Sequence, residues 1–346
     1  MRTILVSGST GFIGSHTCIS LLSSGYKIIM LDSFVNSSAM ILENIKSILS
    51  KVNHEYLNNF KLIECDIRNE NKLDDIFNEI QTFSSPIDGV IHFAGLKAVR
   101  ESVEFPIKYW DNNVSGTITL LKVMQKYNCK KIIFSSSASV YGNSNQKLIG
   151  ENAIVNPNNP YAFTKSVVEK FLSNFFESDK NNWKIINLRY FNPIGAHPSG
   201  KIGENPLGIP NNIFPKLIDV AARKIDKLQI FGNDWDTPDG TGIRDYIHVM
   251  DLAEGHVSAL DYLFNKKSLF LNLNLGTGKG YSVMELIRTF SEVNNVDIPF
   301  EFAPKRKGDV ARLIADNRLS LSILNWQPIR NLEDMCRDGW NWQKNK

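Results

Sequence analysis

The sequence predicts an α/β protein: a doubly wound parallel sheet carrying a smaller mixed α/β lobe. Three observations predict it. Short continuous apolar runs recur along the first half of the chain, with helical patterns between most of them; such runs suit strands buried on both faces by flanking helices. Polar or glycine-containing residues close the runs, at the edge where open α/β sheets hold ligands. After about Tyr190 the texture changes to FNPIGAHPSGKIGENPLGIPNN, rich in Pro, Gly and Asn, which predicts a loop-rich second lobe with a loop long enough to cover a ligand.

In order along the chain, Ile4, Leu5 and Val6 form a first strand, glycines turn it, and Ile13, Cys18, Leu21 and Leu22 lie at helical spacing. KIIMLD is a second strand ending in Asp32. FKLIECD, DGVIHFAG, KKIIFSSS and WKIINLRYF follow as further strands. No tandem repeat, low-complexity tail or long charge run interrupts them.

Composition excludes several function classes. With 39 Lys+Arg against 36 Asp+Glu in 346 residues, bulk charge gives no reason to expect a nucleic-acid or membrane-surface partner; a small molecule is the expected ligand. The opening residues are apolar and carry Arg2, but glycines interrupt them too early for a signal peptide or a membrane span. Cys18, Cys65, Cys129 and Cys336 have no metal-ligand spacing and are expected to be reduced thiols of a cytoplasmic protein, and the six histidines show no metal spacing.

Gly8, Gly11 and Gly14 follow the first strand as G-x-x-G-x-x-G. Bare backbone there can approach a pyrophosphate, with the positive helix end aimed at it. Asp32 ends the second strand eighteen residues after Gly14, where a carboxylate accepts hydrogen bonds from an adenosine ribose. It would repel a 2'-phosphate, so NAD is expected rather than NADP, on a Rossmann sheet. Asp66, after the third strand, is placed to face the adenine. A second glycine cluster, NLGTGKGYS with Gly276, Gly278 and Gly280, lacks the order of a nucleotide-triphosphate loop and reads as a structural turn.

Tyrosine stands four residues before lysine three times: Tyr127/Lys131, Tyr161/Lys165 and Tyr262/Lys266. Only the middle pair lies in NPYAFTK, where Pro160 suits a first helical position and Asn158 or Asn159 can cap it. Tyr161 then sits in the first turn, with Lys165 beside it on the same face. For Tyr161 to act as a base near neutrality its pKa must fall by roughly three units, about 4 kcal/mol. An ammonium, a helix amino end and a nicotinamide cation all act in that direction. Ser135, Ser136 and Ser137 end the preceding strand, so a hydroxyl shares that edge.

The combination resembles the extended short-chain dehydrogenase/reductases. HFAGLKAV, DNNVSGT, SSSASVYG, RYFNPIGAHPSG, GIPNN, IFGND, DGTGIRDYIHVMDLA and KRKGD are similar to motifs of its UDP-sugar 4-epimerase branch, in matching order from Met1 to about Asp316. The resemblance implies that Phe12, Ile13, Asn36, Ser37 and Ile67 contact NAD beside the glycines, Asp32 and Asp66. Phe93, Ala94, Gly95, Lys97, Asn112 and Phe191 would line the same site. It makes Tyr161 the base, Lys165 the holder of the nicotinamide ribose, and Ser137 the partner of the reacting sugar hydroxyl. On the substrate side it implies Asn192, Asn212, Ile213, Phe231, Arg244, Arg306, Asp309 and Leu313 as UDP-sugar contacts, Arg244 suiting a diphosphate by its planar fork. The implied reaction is reversible inversion at C4 of UDP-glucose and UDP-galactose through a 4-keto intermediate, by a homodimer. The lobes implied are residues 1–188, completed by 243–270, for NAD, and 189–242 with 271–346 for the UDP-sugar.

Two competitors are weaker. A nucleotide-sugar 4,6-dehydratase needs an acid and a base after the serine, where this chain has Ala138 and Ser139; a non-catalytic NAD sensor would be expected to lose part of the Ser/Tyr/Lys set. Two positions depart from the branch's pattern. Ser9 stands where a glycine is common. Leu313 stands where a tyrosine tends to exclude N-acetylated sugars, and its intermediate size leaves UDP-N-acetylglucosamine admissible. His92 reads as a core histidine, and Trp340 and Trp342 as residues closing the second lobe.

Overall fold

Seven parallel strands form the main sheet of the computed structural model: β1 (Thr3–Ser7), β2 (Lys27–Asp32), β3 (Phe60–Glu64), β4 (Ile87–His92), β5 (Lys131–Ser137), β6 (Lys184–Tyr190) and β7 (Leu269–Leu275). Their spatial order is β7-β6-β5-β4-β1-β2-β3, with every neighbouring pair parallel. The fold is therefore doubly wound α/β. The structure describes all residues except 84, 145, 206–211 and 307, so most of GIPNN and Lys307 of KRKGD lie outside the described residues.

The alternation of side chains along each strand builds two cores. Ile4 and Val6 pack on one face with Cys18 and Leu21 of α1 (Phe12–Ser23), while Leu5 packs on the other with Phe77 and Leu120. Both faces are thus covered, which is why the strands read as unbroken apolar runs. β7 is the exception. Its Leu/Asn alternation puts Asn272 against Asn187, whose Nδ2 donates to it at 2.8 Å, and buries Asn274 as acceptor from the Tyr141 hydroxyl at 2.6 Å. The boundary expected at residue 270 falls inside this strand, because an edge strand carrying polar partners lacks the continuous apolar signature of the others.

The rest of the chain forms small sheets and helices. Asn192–Ile194 pairs with Tyr246–His248, Ile243–Arg244 lies between Tyr281–Ser282 and Arg312–Leu313, and Leu228–Phe231 pairs with Phe300–Ala303. Phe214, Leu217, Phe290 and Met335 centre a separate apolar core there. Trp340 packs edge-on against Phe290 with ring centroids 5.9 Å apart. A Cβ on Gly203 would stand 2.6 Å from the buried Trp342 ring, so these tryptophans close the lobe.

Candidate active site

A cleft of about 450 Å³ runs along the carboxyl edge of the sheet, from the turn after β1 across to Tyr161 and Lys165. At its first end the chain leaves β1 with Gly8 at φ +69°, and a Cβ at Gly8 would lie 2.6 Å from the Ala94 nitrogen. Gly14 is tighter still, since its Cβ would meet the Gly8 carbonyl oxygen at 2.2 Å. These glycines let the turn fold onto itself and leave backbone facing the cleft. Gly11 caps α1 with no side-chain hydrogen bond, so the first amides of this helix are open to an anion. Ser9 is turned away: its hydroxyl donates to the Leu31 carbonyl at 3.1 Å in the interior.

Asp32, at the end of β2, accepts from the amides of Thr10 and Phe34, each at 3.0 Å, and from the Ser37 hydroxyl at 2.9 Å. Its carboxylate lines the cleft with Asn36, Ser37 and Ile67. Asp66 also lines it, but its carboxylate is engaged by Arg68, whose guanidinium holds the carboxyl below its ordinary range. Phe12, Ile13, Phe93, Ala94, Gly95, Lys97 and Asn112 lie along the same wall.

At the other end, α2 (Pro160–Ser178) begins with Pro160, and the Asn159 side chain accepts from the Ala162 amide at 2.9 Å. Tyr161 and Lys165 then face the cleft one turn apart. The Lys165 Nζ donates to the Ser135 carbonyl at 2.6 Å and lies over the Phe134 ring at 4.8 Å. Burial lowers its pKa to about 8, against Glu169, which raises it. Burial likewise raises the Tyr161 phenol above its ordinary value, while Ser137 and the Lys97 ammonium pull it down. The chain's own groups thus leave the phenol shifted the opposite way from the expected fall, because burial outweighs them; a fall would need positive charge brought in on binding.

Behind these residues lies a buried ionic network. Arg189 of β6 pairs with Glu169 at 2.6 Å, and Glu169 accepts from Ser136 at 2.5 Å. Arg189 also donates to the Tyr141 hydroxyl at 3.0 Å. Tyr161, Lys165 and Glu169 share one face of α2, so the network ties that helix to β5 next to Ser137.

The second group of expected ligands gathers away from this cleft. The Arg306 guanidinium stacks 4.5 Å above the Phe231 ring and donates to Asp309 at 2.9 Å. Arg244 is in register with Leu313 across a parallel pair, donates to the Ile243 carbonyl and has no ion pair among the described residues. Burial lowers its pKa, the situation of a guanidinium awaiting an anion. The Asn192 side chain donates to the Asp245 carbonyl at 3.2 Å. Asn212 caps the helix Ile213–Ala221 and reaches the cleft. Phe191 and Leu313 pack together with Tyr141.

Other sequence features resolve as structure. His92 is enclosed by Ser7 and Thr117 at 2.7 and 2.9 Å. Tyr127 donates to the Asp74 carbonyl, and Tyr262 sits under Lys266; neither lines the cleft. The second glycine cluster wraps the buried Asp245 carboxylate, which accepts from Thr277, Gly278 and Ala315 and whose pKa burial raises to about 6. Sequence reasoning missed Glu204 and Tyr190, both lining the cleft. Tyr190 is the last residue of β6, so the strand-end rule could have found it; Glu204 is a lone acid in a loop, without a local signal.

The residues present fit NAD: a bare glycine turn before an uncapped helix end, a strand-end carboxylate with bound donors, and a cleft leading to a tyrosine and a lysine. A doubly wound sheet with that turn and a serine, tyrosine and lysine at its carboxyl edge defines an extended short-chain dehydrogenase/reductase. A family model described as GDP-mannose 4,6 dehydratase matches residues 5–339. The UDP-glucose 4-epimerase of Bacillus subtilis is 48% identical over 98% of this chain and 96% of its own. Among solved structures, the UDP-glucose 4-epimerase of Bifidobacterium longum, in complex with NAD+ and UDP, superposes with a TM-score of 0.92 at 44% identity, covering 99% of this chain and 98% of that one. That of Stenotrophomonas maltophila, with bound NAD and formylated UDP-arabinopyranose, gives 0.93 at 42%, covering 100% and 98%. The chain belongs to the UDP-glucose 4-epimerase family.

Proposed function

We propose that this protein is an NAD-dependent isomerase that interconverts UDP-glucose and UDP-galactose by inversion at C4. The observation that carries the reading is the single cleft onto which both the glycine turn and the Tyr161/Lys165 pair open, in a chain where Ala138 and Ser139 follow the serine and so provide no dehydratase acid or base. When bound, NAD supplies a reversible hydride acceptor for C4. Tyr161 takes the proton of the 4-hydroxyl as the C4–H bond breaks, giving a 4-ketose, and Ser137 hydrogen-bonds the reacting oxygen. Lys165, held by the Ser135 carbonyl, keeps a positive charge beside the phenolate. Arg244 and Arg306 hold the diphosphate while the ketose turns its other face. As C4 regains its hydride on that face, re-forming the C4–H bond, Tyr161 returns the proton to the 4-oxygen, with no net redox change.

Residues 1–188 with 243–270 for NAD, and 189–242 with 271–346 for the UDP end, fit that division except at two places: the strand Leu269–Leu275 continues the NAD sheet past residue 270, and Arg244 serves the UDP end. A homodimer is supported by apolar side chains left exposed on neighbouring helices, Val103, Ile107 and Phe163, and at the junction between the first two, Phe105. Light scattering at twice the chain mass is the expected result, and a monomer would remove it. A cytoplasmic location is favoured by four buried cysteines without disulfides; no described helix is long and apolar enough to cross a membrane.

Purified protein given UDP-galactose without added NAD is expected to form UDP-glucose with no lasting NADH absorbance. A persisting 4-keto-6-deoxy sugar would replace the reading by dehydratase chemistry. No turnover even with NAD added would reject both.

A further inference from the structure

Arg68 lies outside the cleft, yet it ties together two parts of the cleft's outer wall. Cys65, Asp66 and Ile67, in the turn after β3, line the cleft, as do Tyr109 and Asn112 from the short helices Pro106–Tyr109 and Trp110–Ser115. Arg68 and Asp111 do not line it. Behind the wall the Arg68 guanidinium grips Asp66 as a fork, its Nε 3.1 Å from each carboxylate oxygen and its Nη2 2.6 Å from Oδ2. The other arm, Nη1, donates to Asp111 Oδ2 at 2.5 Å. One side chain thus joins the turn after β3 to the segment that carries Asn112.

The backbone of this turn is fixed as well. The Arg68 amide donates to Asp66 Oδ1 at 2.9 Å, and the Cys65 amide donates to the Asp32 carbonyl at 2.8 Å. A Cβ on Gly116, which opens the helix Gly116–Lys126, would stand 2.6 Å from the Ile67 Cδ1 and 3.4 Å from the Arg68 Cγ, so the turn packs directly on bare helix. Asp66 is therefore held at both carboxylate oxygens. The cation beside it keeps it ionised, an acceptor with no proton to give.

Where this carboxylate meets a dinucleotide follows from the sheet. The glycine turn follows β1, Asp32 ends β2 and Asp66 follows β3, and these three strands are consecutive with β3 outermost. Neighbouring strands are roughly 5 Å apart. With the pyrophosphate at the glycine turn and a ribose at Asp32, the base lies over the end of β3. A fixed carboxylate there matches a base that presents an exocyclic amino group and opposes one that presents a carbonyl oxygen in the same place.

Resting on the NAD reading above, we infer that Arg68 is a positioning residue for the cofactor's base: by gripping Asp66 from behind, it makes the site select a 6-amino purine over a 6-oxo purine. Position decides the outcome. A 6-oxo purine carries a donor of its own, the ring N1–H, next to its carbonyl. A carboxylate free to swing can accept from that donor, and one gripped at both oxygens cannot follow it. Lysine in place of Arg68 keeps the charge but not the fork, which separates the two contributions.

The test is a competition between NAD and nicotinamide hypoxanthine dinucleotide, which differ only in the amino or oxo group of the purine. Purified protein is incubated with equal excesses of both until the bound ratio is constant. It is then desalted rapidly and denatured, and the released dinucleotides are quantified by mass spectrometry. The unmodified protein is expected to retain NAD over the analogue by about tenfold or more, the weight of one hydrogen bond to a charged group. Arg68→Ala and Arg68→Lys are each expected to lower that ratio by about threefold or more, while the preference for NAD over NADP, set at Asp32, stays as it was. Arg68 is 42% exposed, and circular dichroism checks that both variants keep the fold. A ratio unchanged in either variant would overturn the inference, since a merely structural role weakens both dinucleotides alike. An unmodified protein that retains the two equally would overturn it too. Failure of the NAD reading would look different, as an unmodified protein that retains neither.

Discussion

Tyr161→Phe is expected to lower the turnover of UDP-galactose by about 10²–10⁴-fold, the usual contribution of a positioned general base, while leaving the fold and UDP binding in place. The substitution removes one oxygen from the cleft wall and nothing from the helix start. Pro160 remains at the first helical position, the Asn159 side chain still accepts from the Ala162 amide, and the residue's own N–H still donates to the Ser102 hydroxyl at 3.2 Å. KM for the UDP-sugar should therefore stay within a few-fold and the loss should fall on kcat. A variant keeping a tenth or more of the original kcat would sink the base assignment. The unmodified enzyme should also speed up as pH rises, because burial holds the phenol above its ordinary pKa against the pull of Ser137 and Lys97, and only the deprotonated form accepts the sugar's proton.

That same pKa marks a limit of reading the site from sequence. The four-residue spacing, shared by three Tyr/Lys pairs, placed Tyr161 and Lys165 one turn apart only together with Pro160 and the asparagine cap, and these local rules sufficed because i,i+4 neighbours and caps are set by the few residues around them. What spacing could not supply was the field. Lys97 and Ser137 come from two other segments, and burial, which dominates the shift, is a property of the assembled cleft. Asp32 was legible for the same local reason as the tyrosine, being the polar end of an apolar run. β7 was less so: its Asn272 and Asn274 are satisfied by Asn187 and Tyr141, 85 and 133 residues away in sequence, and nothing near them announces those partners. Asp245 makes the point again. Gly276 of NLGTGKGYS is needed because a buried carboxylate sits inside the turn, where a Cβ would come within 2.7 Å of it.

The molecule should lose stability steeply in mild acid, and the cause is a set of histidines that the fold keeps neutral. His16, His92 and His256 are 0%, 1% and 0% exposed. Burial lowers their pKa values to about 3, 3 and 4. The hydrogen bonds explain why a second proton is unwelcome. The Thr117 hydroxyl already donates to Asn113, so it accepts from the His92 Nε2, and the Nδ1 must then accept from Ser7. His256 donates from Nδ1 to the Leu252 carbonyl and accepts the Tyr190 hydroxyl proton on Nε2. The His16 Nε2 has no partner among the described residues. Each folded-state pKa lies below the unfolded value of 6.5, so above that pH neither state binds the proton and stability is flat with respect to these groups. Below it the unfolded chain takes up protons that the folded chain refuses, and stability falls until the folded pKa is reached. Burial also raises the carboxyls of Asp245, Glu151 and Asp251, which works against the trend, Asp245 adding stability as pH falls from about 6 towards its ordinary value, but His197, lowered to about 4, adds a fourth histidine to the losing side. At pH 5 each histidine costs about 2 kcal/mol, a total of several kcal/mol against the 5–15 kcal/mol that holds a typical domain. Urea midpoints measured from pH 8 downward should be level to about pH 6.5 and then drop, with unfolding in buffer alone between about pH 5 and 4. A midpoint that held constant down to pH 4.5 would mean that these histidines are protonated in the folded protein, and the neutral hydrogen-bonding roles given to them here would be wrong.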